Sequence, residues 1–178
     1  LGRFHENTGS YYANLLQEEI ETQGPENVAA FLAEPVTGTS GGAIVPPEDY
    51  WPKVREICDR YGVILVMDEV MTGFGRTGKK FGVDHWNVVP DIMVGGKGLS
   101  GGYAPLGGVF ASEKVVSPIA KGGSGMMFFT FSAHSGSCAA GVAALKVLED
   151  EDLVSASASK GEEFLTLLSS LEDHVHVR

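Results

Sequence analysis

Between residues 10 and 23 the apolar side chains Tyr12, Leu15, Leu16 and Ile20 recur at helical spacing, and Gly24-Pro25 stops the run. A short apolar stretch of strand length follows at 28–33, then a loop marked by Glu34-Pro35 and the glycines between 38 and 42. Pro47-Glu48-Asp49 opens a second helix, with acidic residues in the first turn where the helix dipole favours them. Trp51, Val54, Ile57, Cys58 and Tyr61 give that helix a regular core stripe, and Gly62 closes it. Residues 63–67, Val-Ile-Leu-Val-Met, show no polar alternation, which predicts a strand covered on both faces, as in parallel sheets. Strand, helix and strand together make a βαβ unit.

Glycines and small turn formers fill 72–82. The pattern then predicts strands at 92–94 and 106–111 and helices over 113–120, 135–149 and 151–171. No internal repeat and no low-complexity linker interrupts this order. The expected fold class is α/β, a mostly parallel central sheet with helices on both faces, whose ligands bind at the C-terminal edge of the strands. Asp68 ends the apolar run at 63–67, and Lys97 sits just after the run at 92–94, in Val94-Gly95-Gly96-Lys97-Gly98-Leu99. Both therefore belong to that edge.

Composition narrows the classes. The chain has 178 residues, one domain by default; at 43% hydrophobic and 20% charged it can bury a core. Thirteen basic against 23 acidic residues leave a net charge of −10, which opposes a nucleic-acid partner. No run approaches the roughly 18 apolar residues of a membrane span, and no basic stretch followed by an apolar one opens the chain. Cys58 and Cys138 are too few for a disulfide framework and have no neighbouring ligand at metal spacing, so no metal is expected. The expected address is the cytoplasm. Leu1 is not a start methionine, and His176-Val177-Arg178 reads as a strand just beginning, so the chain looks like an internal piece of something longer.

Three chemistries could use a lysine and a carboxylate so placed. Val63 to Glu69 looks like the strand and acidic pair that hold magnesium in P-loop ATPases, but no Gly-x-x-x-x-Gly-Lys-Ser/Thr accompanies it. Gly96-Lys97-Gly98-Leu99-Ser100-Gly101 fits Gly-x-Gly-x-x-Gly, yet it runs into Gly102-Tyr103-Ala104-Pro105-Leu106-Gly107-Gly108, which cannot be the helix a dinucleotide site needs. A Schiff base with pyridoxal phosphate needs a lysine that can lose its proton and a carboxylate against the pyridine nitrogen. Glycines beside the lysine let backbone and cofactor approach closely. Spacing carries the reading this far and no further.

Longer stretches carry a resemblance. Glu34-Pro35-Val36-Thr37-Gly38, then Asp68-Glu69-Val70-Met71-Thr72-Gly73-Phe74-Gly75-Arg76-Thr77-Gly78, then Pro90-Asp91-Ile92 leading to Gly96-Lys97-Gly98 and Ala104-Pro105-Leu106-Gly107 closely resemble the class III aminotransferases. This is the omega-transaminase group, with the aspartate-aminotransferase fold (fold type I). Phe129-Thr130-Phe131-Ser132-Ala133-His134, followed by Cys138-Ala139-Ala140, is similar to that family's later threonine motif. Several motifs in one order across nearly the whole chain are far more specific than any single one.

The resemblance implies pyridoxal 5'-phosphate as cofactor and transfer of an amino group from a small-molecule amine or amino acid to a 2-oxo acid. It implies a homodimer in the full-length parent. By position, Lys97 would be the Schiff-base lysine and proton shuttle, and Asp68 would hold the pyridine nitrogen. Val70 would pack against one face of the ring. Thr130 would reach the cofactor phosphate, usually that of the partner subunit, and Glu34 resembles a pocket glutamate whose role varies. Met71 stands where many members have a glutamine near the ring hydroxyl; Ala133 and Ser135 replace a usual glycine and proline. The resemblance makes 1–178 the central part of the cofactor-binding large domain. The phosphate-loop segment and the C-terminal small domain would then lie outside the chain, with 172–178 starting the small domain. Two other readings stay open: an aminomutase or racemase on the same cofactor, and a catalytically silent fragment that only packs or dimerises.

Other residues carry plainer expectations. Glu69 reads as a structural hydrogen-bonding carboxylate, His134 as a helix-start residue bonding locally, and Arg76 as an anchor of its glycine loop. Cys58 reads as a buried small hydrophobe, and His85, His174 and His176 as packed or solvated. Val70 divides evenly between ring contact and core, and Tyr103 between pocket wall and structural aromatic.

Overall fold

The computed structural model describes residues 8–123 and 129–171. Helix α1 (Thr8–Gln23) is followed by strand β1 (Ala30–Ala33), helix α2 (Tyr50–Tyr61) and strand β2 (Ile64–Asp68). Strands β3 (Ile92–Gly95) and β4 (Gly108–Ala111) come next, then helices α3 (Glu113–Gly122), α4 (Ser135–Asp150) and α5 (Leu153–Ser169). The strands form one sheet in the order β1-β2-β3-β4, with the first three parallel and β4 antiparallel to β3.

The order follows from the connections. A parallel neighbour needs a crossover, and α2 supplies one between β1 and β2. The link from β3 to β4 holds only a short 3-10 turn at Lys97–Ser100, after which Gly101 at φ 60 and Gly102 at φ 80 turn the chain back. A side chain at either glycine would be strained, so the reversal depends on them. Helix α2 ends as read: Gly62, at φ 70, donates its N–H to the Cys58 carbonyl.

The core lies on one face of the sheet. Ala13 and Ile20 of α1 meet Trp51, Val54, Ile57 and Cys58 of α2 over Leu65 and Met67 of β2. Each fully buried aliphatic side chain contributes about 1.5–3 kcal/mol relative to exposure. Strand β2 buries Leu65, Val66 and Met67 in succession, as its unbroken apolar run requires. Strand β1 alternates instead, leaving Leu32 exposed while Phe31 and Ala33 pack against the core. It begins at Ala30 rather than residue 28 because a 3-10 turn at Pro25–Asn27 takes up the Val28 N–H. Helix α4 packs on the Lys97–Ser100 turn, where a Cβ at Gly141 would sit 2.5 Å from Leu106 Cδ2.

Candidate active site

Neighbouring parallel strands deliver Glu34, Asp68 and Lys97 to one edge. Glu34 directly follows β1, Asp68 is the last residue of β2, and Gly96-Lys97 directly follow β3. The register pairs Ala33 with Met67 and Asp68 with Val94, so Glu34 and Lys97 flank Asp68 on either side. One step between strands is about 4.8 Å and three extended residues span roughly 10 Å, which puts the Asp68 and Lys97 backbones at most about 11 Å apart.

Each residue is held by local bonds. The Glu34 carboxylate accepts the Gly38 N–H at 2.6 Å, and the indole N–H of buried Trp51 donates to the Pro35 carbonyl at 3.0 Å, tying this loop to α2. Asp68 Oδ1 accepts the Val70 N–H at 3.0 Å, leaving Oδ2 without a hydrogen bond among the described residues. Lys97 is exposed, its amine has no hydrogen bond or ion pair among the described residues, and its φ is 39. L residues seldom adopt that conformation, and strained backbone of this kind gathers at functional positions.

The surroundings are drawn together around these ends. A Cβ added to Gly96 would touch Val70 Cγ1 at 3.5 Å, so half-buried Val70 lies beside the residue preceding Lys97. A Cβ at Gly38 would lie 2.6 Å from Met71 Sδ, so the loop after β1 meets the loop after β2. Lys97 lines an open cleft of about 570 Å³ with Met71, Phe74, Arg76, Leu153 and Ser157. Thr130 is not brought to this edge by any bond; it is solvent-exposed in the turn before α4, between exposed Phe129 and Phe131. Tyr103 is 87% exposed and is not part of the core.

Other expectations have definite outcomes. Glu69 is fully buried, and its carboxylate accepts from Thr72 Oγ1 at 2.5 Å and from the Gly82 and Val83 N–H groups at 2.8 Å each. It is a structural acceptor. His134 caps α4, its Nδ1 accepting the Ser137 N–H at 3.2 Å. His85 Nε2 lies 3.1 Å from the Thr77 carbonyl and hydroxyl oxygens. Cys58 is fully buried, and desolvation pushes its thiol up to about 11. Ala133, where the family resemblance leads one to expect glycine, has φ 52, the region glycine favours. His174, His176 and the segment 172–178 lie outside the described residues.

Sequence reasoning assigned no role to Asp91, which the structure makes an electrostatic hub. Its carboxylate pairs with Arg55 Nη1 at 2.9 Å and Lys114 Nζ at 3.0 Å and accepts the Leu65 N–H at 2.9 Å, while its own N–H donates to the Leu65 carbonyl at 2.9 Å. Both polar groups of Leu65 are thereby tied to one residue at the entry to β3, which locks the β2–β3 register. The signal available in the sequence was a lone carboxylate opening a buried strand, a position that demands partners.

Among the described residues no helix is long and apolar enough to cross a membrane, and no group of three His, Cys, Asp or Glu side chains could hold a metal. The mostly parallel α/β sheet carries, at the C-terminal edge of its strands, a lysine amine and a carboxylate oxygen without partners among the described residues. The family model for class III aminotransferases matches residues 5–178. The chain is 42% identical over 146 residues to the putrescine–pyruvate aminotransferase of Pseudomonas aeruginosa, covering 82% of this chain and 32% of that protein. It is likewise 42% identical over 153 residues to the diaminobutyrate–2-oxoglutarate transaminase of Halomonas elongata, with 82% and 32% covered. A solved transaminase from the marine bacterium Virgibacillus superposes with a TM-score of 0.91 at 42% identity, over 96% of this chain and 39% of that one. The (S)-enantioselective omega-transaminase of Thermomicrobium roseum gives 0.90 at 40% identity, over 97% and 39%. The chain belongs to the class III aminotransferase family. It spans about a third of the length of the curated relatives it matches.

Proposed function

We propose that the full-length protein is a pyridoxal-phosphate-dependent transaminase that moves an amino group from a primary amine or amino acid to a 2-oxo acid. Residues 1–178 form the central part of its cofactor-binding large domain, and the enzyme works as a cytoplasmic homodimer. The observation that carries this reading is that Glu34, Asp68 and Lys97 stand at the ends of adjacent parallel strands, with an amine and a carboxylate oxygen that have no partner among the described residues.

These residues suit the cofactor. Asp68 and Lys97 stand at the ends of adjacent strands, and Gly96, where an added Cβ would meet nothing nearer than Val70 Cγ1 at 3.5 Å, would let a ring approach the backbone. When bound, pyridoxal phosphate supplies an aldehyde to take up the amine and a protonated ring to accept electrons. With the cofactor bound, Lys97 Nζ would be the amine that holds its aldehyde group and, once a substrate amine takes that place, the base that carries the proton. Asp68 Oδ2 would accept the N–H of the ring nitrogen and so keep it protonated, and Val70 would pack beside the ring. Glu34, fixed by the Gly38 N–H, stands at the same strand edge but lines a separate hollow with Pro35 and Trp51. Thr130 serves the phosphate of the partner subunit, a role its exposure in the single chain supports.

Given an amine donor, the full-length enzyme is expected to yield a new amino acid only when a 2-oxo acid is present. Turnover without any oxo acid would instead mark an aminomutase or racemase. Asp68→Asn is expected to keep the cofactor while transfer slows by orders of magnitude; near-normal turnover would remove its role.

A further inference from the structure

Phe74 stands on the loop after β2 and presses on both sides of the Lys97 turn. A Cβ at Gly98 would lie 2.9 Å from Phe74 Cβ, and one at Gly95 would lie 3.0 Å from Phe74 Cε2 and 3.1 Å from Phe110 Cε2. At Gly98 a side chain would force Phe74 to move, and at Gly95 the rings of Phe74 and Phe110 would have to give by a few tenths of an ångström, so Phe74 packs into space that both glycines leave. Between them sits Lys97 at φ 39. Two turn bonds, Leu99 N–H to Gly96 O at 2.9 Å and Gly101 N–H to Gly98 O at 3.1 Å, close the chain after the lysine. On the side facing the loop, the contact is Phe74.

Phe74 is itself firmly seated. Its ring stacks edge-on against Phe81, centroids 5.5 Å apart at 69°, and its own φ is 58. The buried Glu69 carboxylate gathers Thr72, Gly82 and Val83, so both ends of the loop converge on one anion. The Gly73 N–H adds a bond to the Glu69 carbonyl at 2.9 Å, immediately before Phe74. Glu69 has no cation partner among the described residues, and those donors are what compensate its burial. Hydrogen bonds hold the loop from Glu69 to Gly73, and Phe74 then lies so close to Gly95 and Gly98 that neither position has room for a side chain without movement.

We propose that Phe74 is a positioning residue for Lys97: wedged against Gly95 and Gly98 by the Glu69-clamped loop, it holds the lysine in its left-handed backbone conformation and sets the direction in which the amine leaves the turn. This rests on the reading of Lys97 as the cofactor-carrying amine. Phe74 lines the same cleft as Lys97, but the proposed action runs through the backbone on either side of the lysine.

The test uses the full-length, cofactor-loaded enzyme and two variants, Phe74→Leu and Phe74→Ala. Three quantities are read: kcat and KM, the pH midpoint of the cofactor's visible absorbance band, and hydrogen exchange of the 95–101 segment without cofactor. Phe74→Ala is expected to lower kcat by about tenfold or more with KM within about twofold, since small misplacements of a reacting group carry costs of this size. The band midpoint should shift and exchange in 95–101 should speed up, with Phe74→Leu intermediate in all three. If Phe74→Ala does not fold, Phe74→Leu decides alone. Variants that only melt earlier, keeping kcat and the band midpoint, overturn the proposal while leaving the lysine reading intact. Absence of any cofactor band in the unsubstituted enzyme overturns both.

Discussion

Asp91→Ala removes a single carboxylate and should weaken the sheet more than any surface change. The Asp91 side chain is 8% exposed and that of Arg55 15% exposed, so their pair is largely withdrawn from water. Deleting one member of a buried pair costs about 3–5 kcal/mol, mostly because the other charge stays behind. Arg55 keeps a contact with Asp59 at 2.8 Å, which argues for the lower end of that range. Lys114, with its side chain 54% exposed, adds within about 1 kcal/mol. The Leu65 N–H left unpaired is already part of the same loss. A total of about 3–4 kcal/mol, at a urea slope near 2 kcal/mol per molar, lowers the unfolding midpoint by about 1.5–2 M. Tryptophan fluorescence can follow it, because Trp51 is buried in the core that unfolds. Asp91→Asn keeps an acceptor for the Leu65 N–H but no charge, and should lose roughly half as much.

The same residue has a pH signature. Burial pushes the Asp91 carboxyl up, but the Leu65 N–H, Lys114 and Arg55 outweigh it and hold the group below the usual carboxylate range. A lowered carboxyl contributes stability in full above its unfolded value of about 3.9 and loses it as pH falls through the folded one. The gap between native protein and Asp91→Ala should stay flat from about pH 5 to 8 and narrow below about pH 4. A midpoint change under about 0.3 M at neutral pH, or a gap that closes near pH 7, would refute the hub.

Further outcomes concern the thiols and one strained alanine. Cys58, buried and held at about 11 by desolvation, should resist iodoacetamide at pH 8 in the folded protein while half-buried Cys138 reacts first; mass spectrometry reads the order. Ala133→Gly relieves a residue at φ 52 and should leave the protein as stable or stabilise it by up to about 1 kcal/mol, read as a rise in Tm.

Periodicity made most of the fold legible. The Trp51-to-Tyr61 stripe, the Gly62 stop and the unbroken run before Asp68 each map onto an observed element, because each reports burial locally. The edge carrying Asp68 and Lys97 was legible for the same reason, since strand ends follow from where apolar runs stop; Glu34 was legible only through the family resemblance. What stayed hidden depends on contacts distant in sequence. Arg55, Leu65, Asp91 and Lys114 share no spacing pattern and meet only once the sheet has formed. Likewise the glycines at 95 and 98 read as cofactor clearance, whereas the structure fills their space with Phe74 from the preceding loop. Thr130 was legible as a motif, but the chain's own fold leaves it exposed and bonded to nothing at this edge among the described residues.

The most direct measurement is borohydride reduction of the full-length, cofactor-loaded protein followed by peptide mapping. The pyridoxyl label should fall on Lys97 alone, and Lys97→Ala should abolish it. A label on Lys79 or Lys80, on the exposed loop after β2, would contradict the assignment of the active edge.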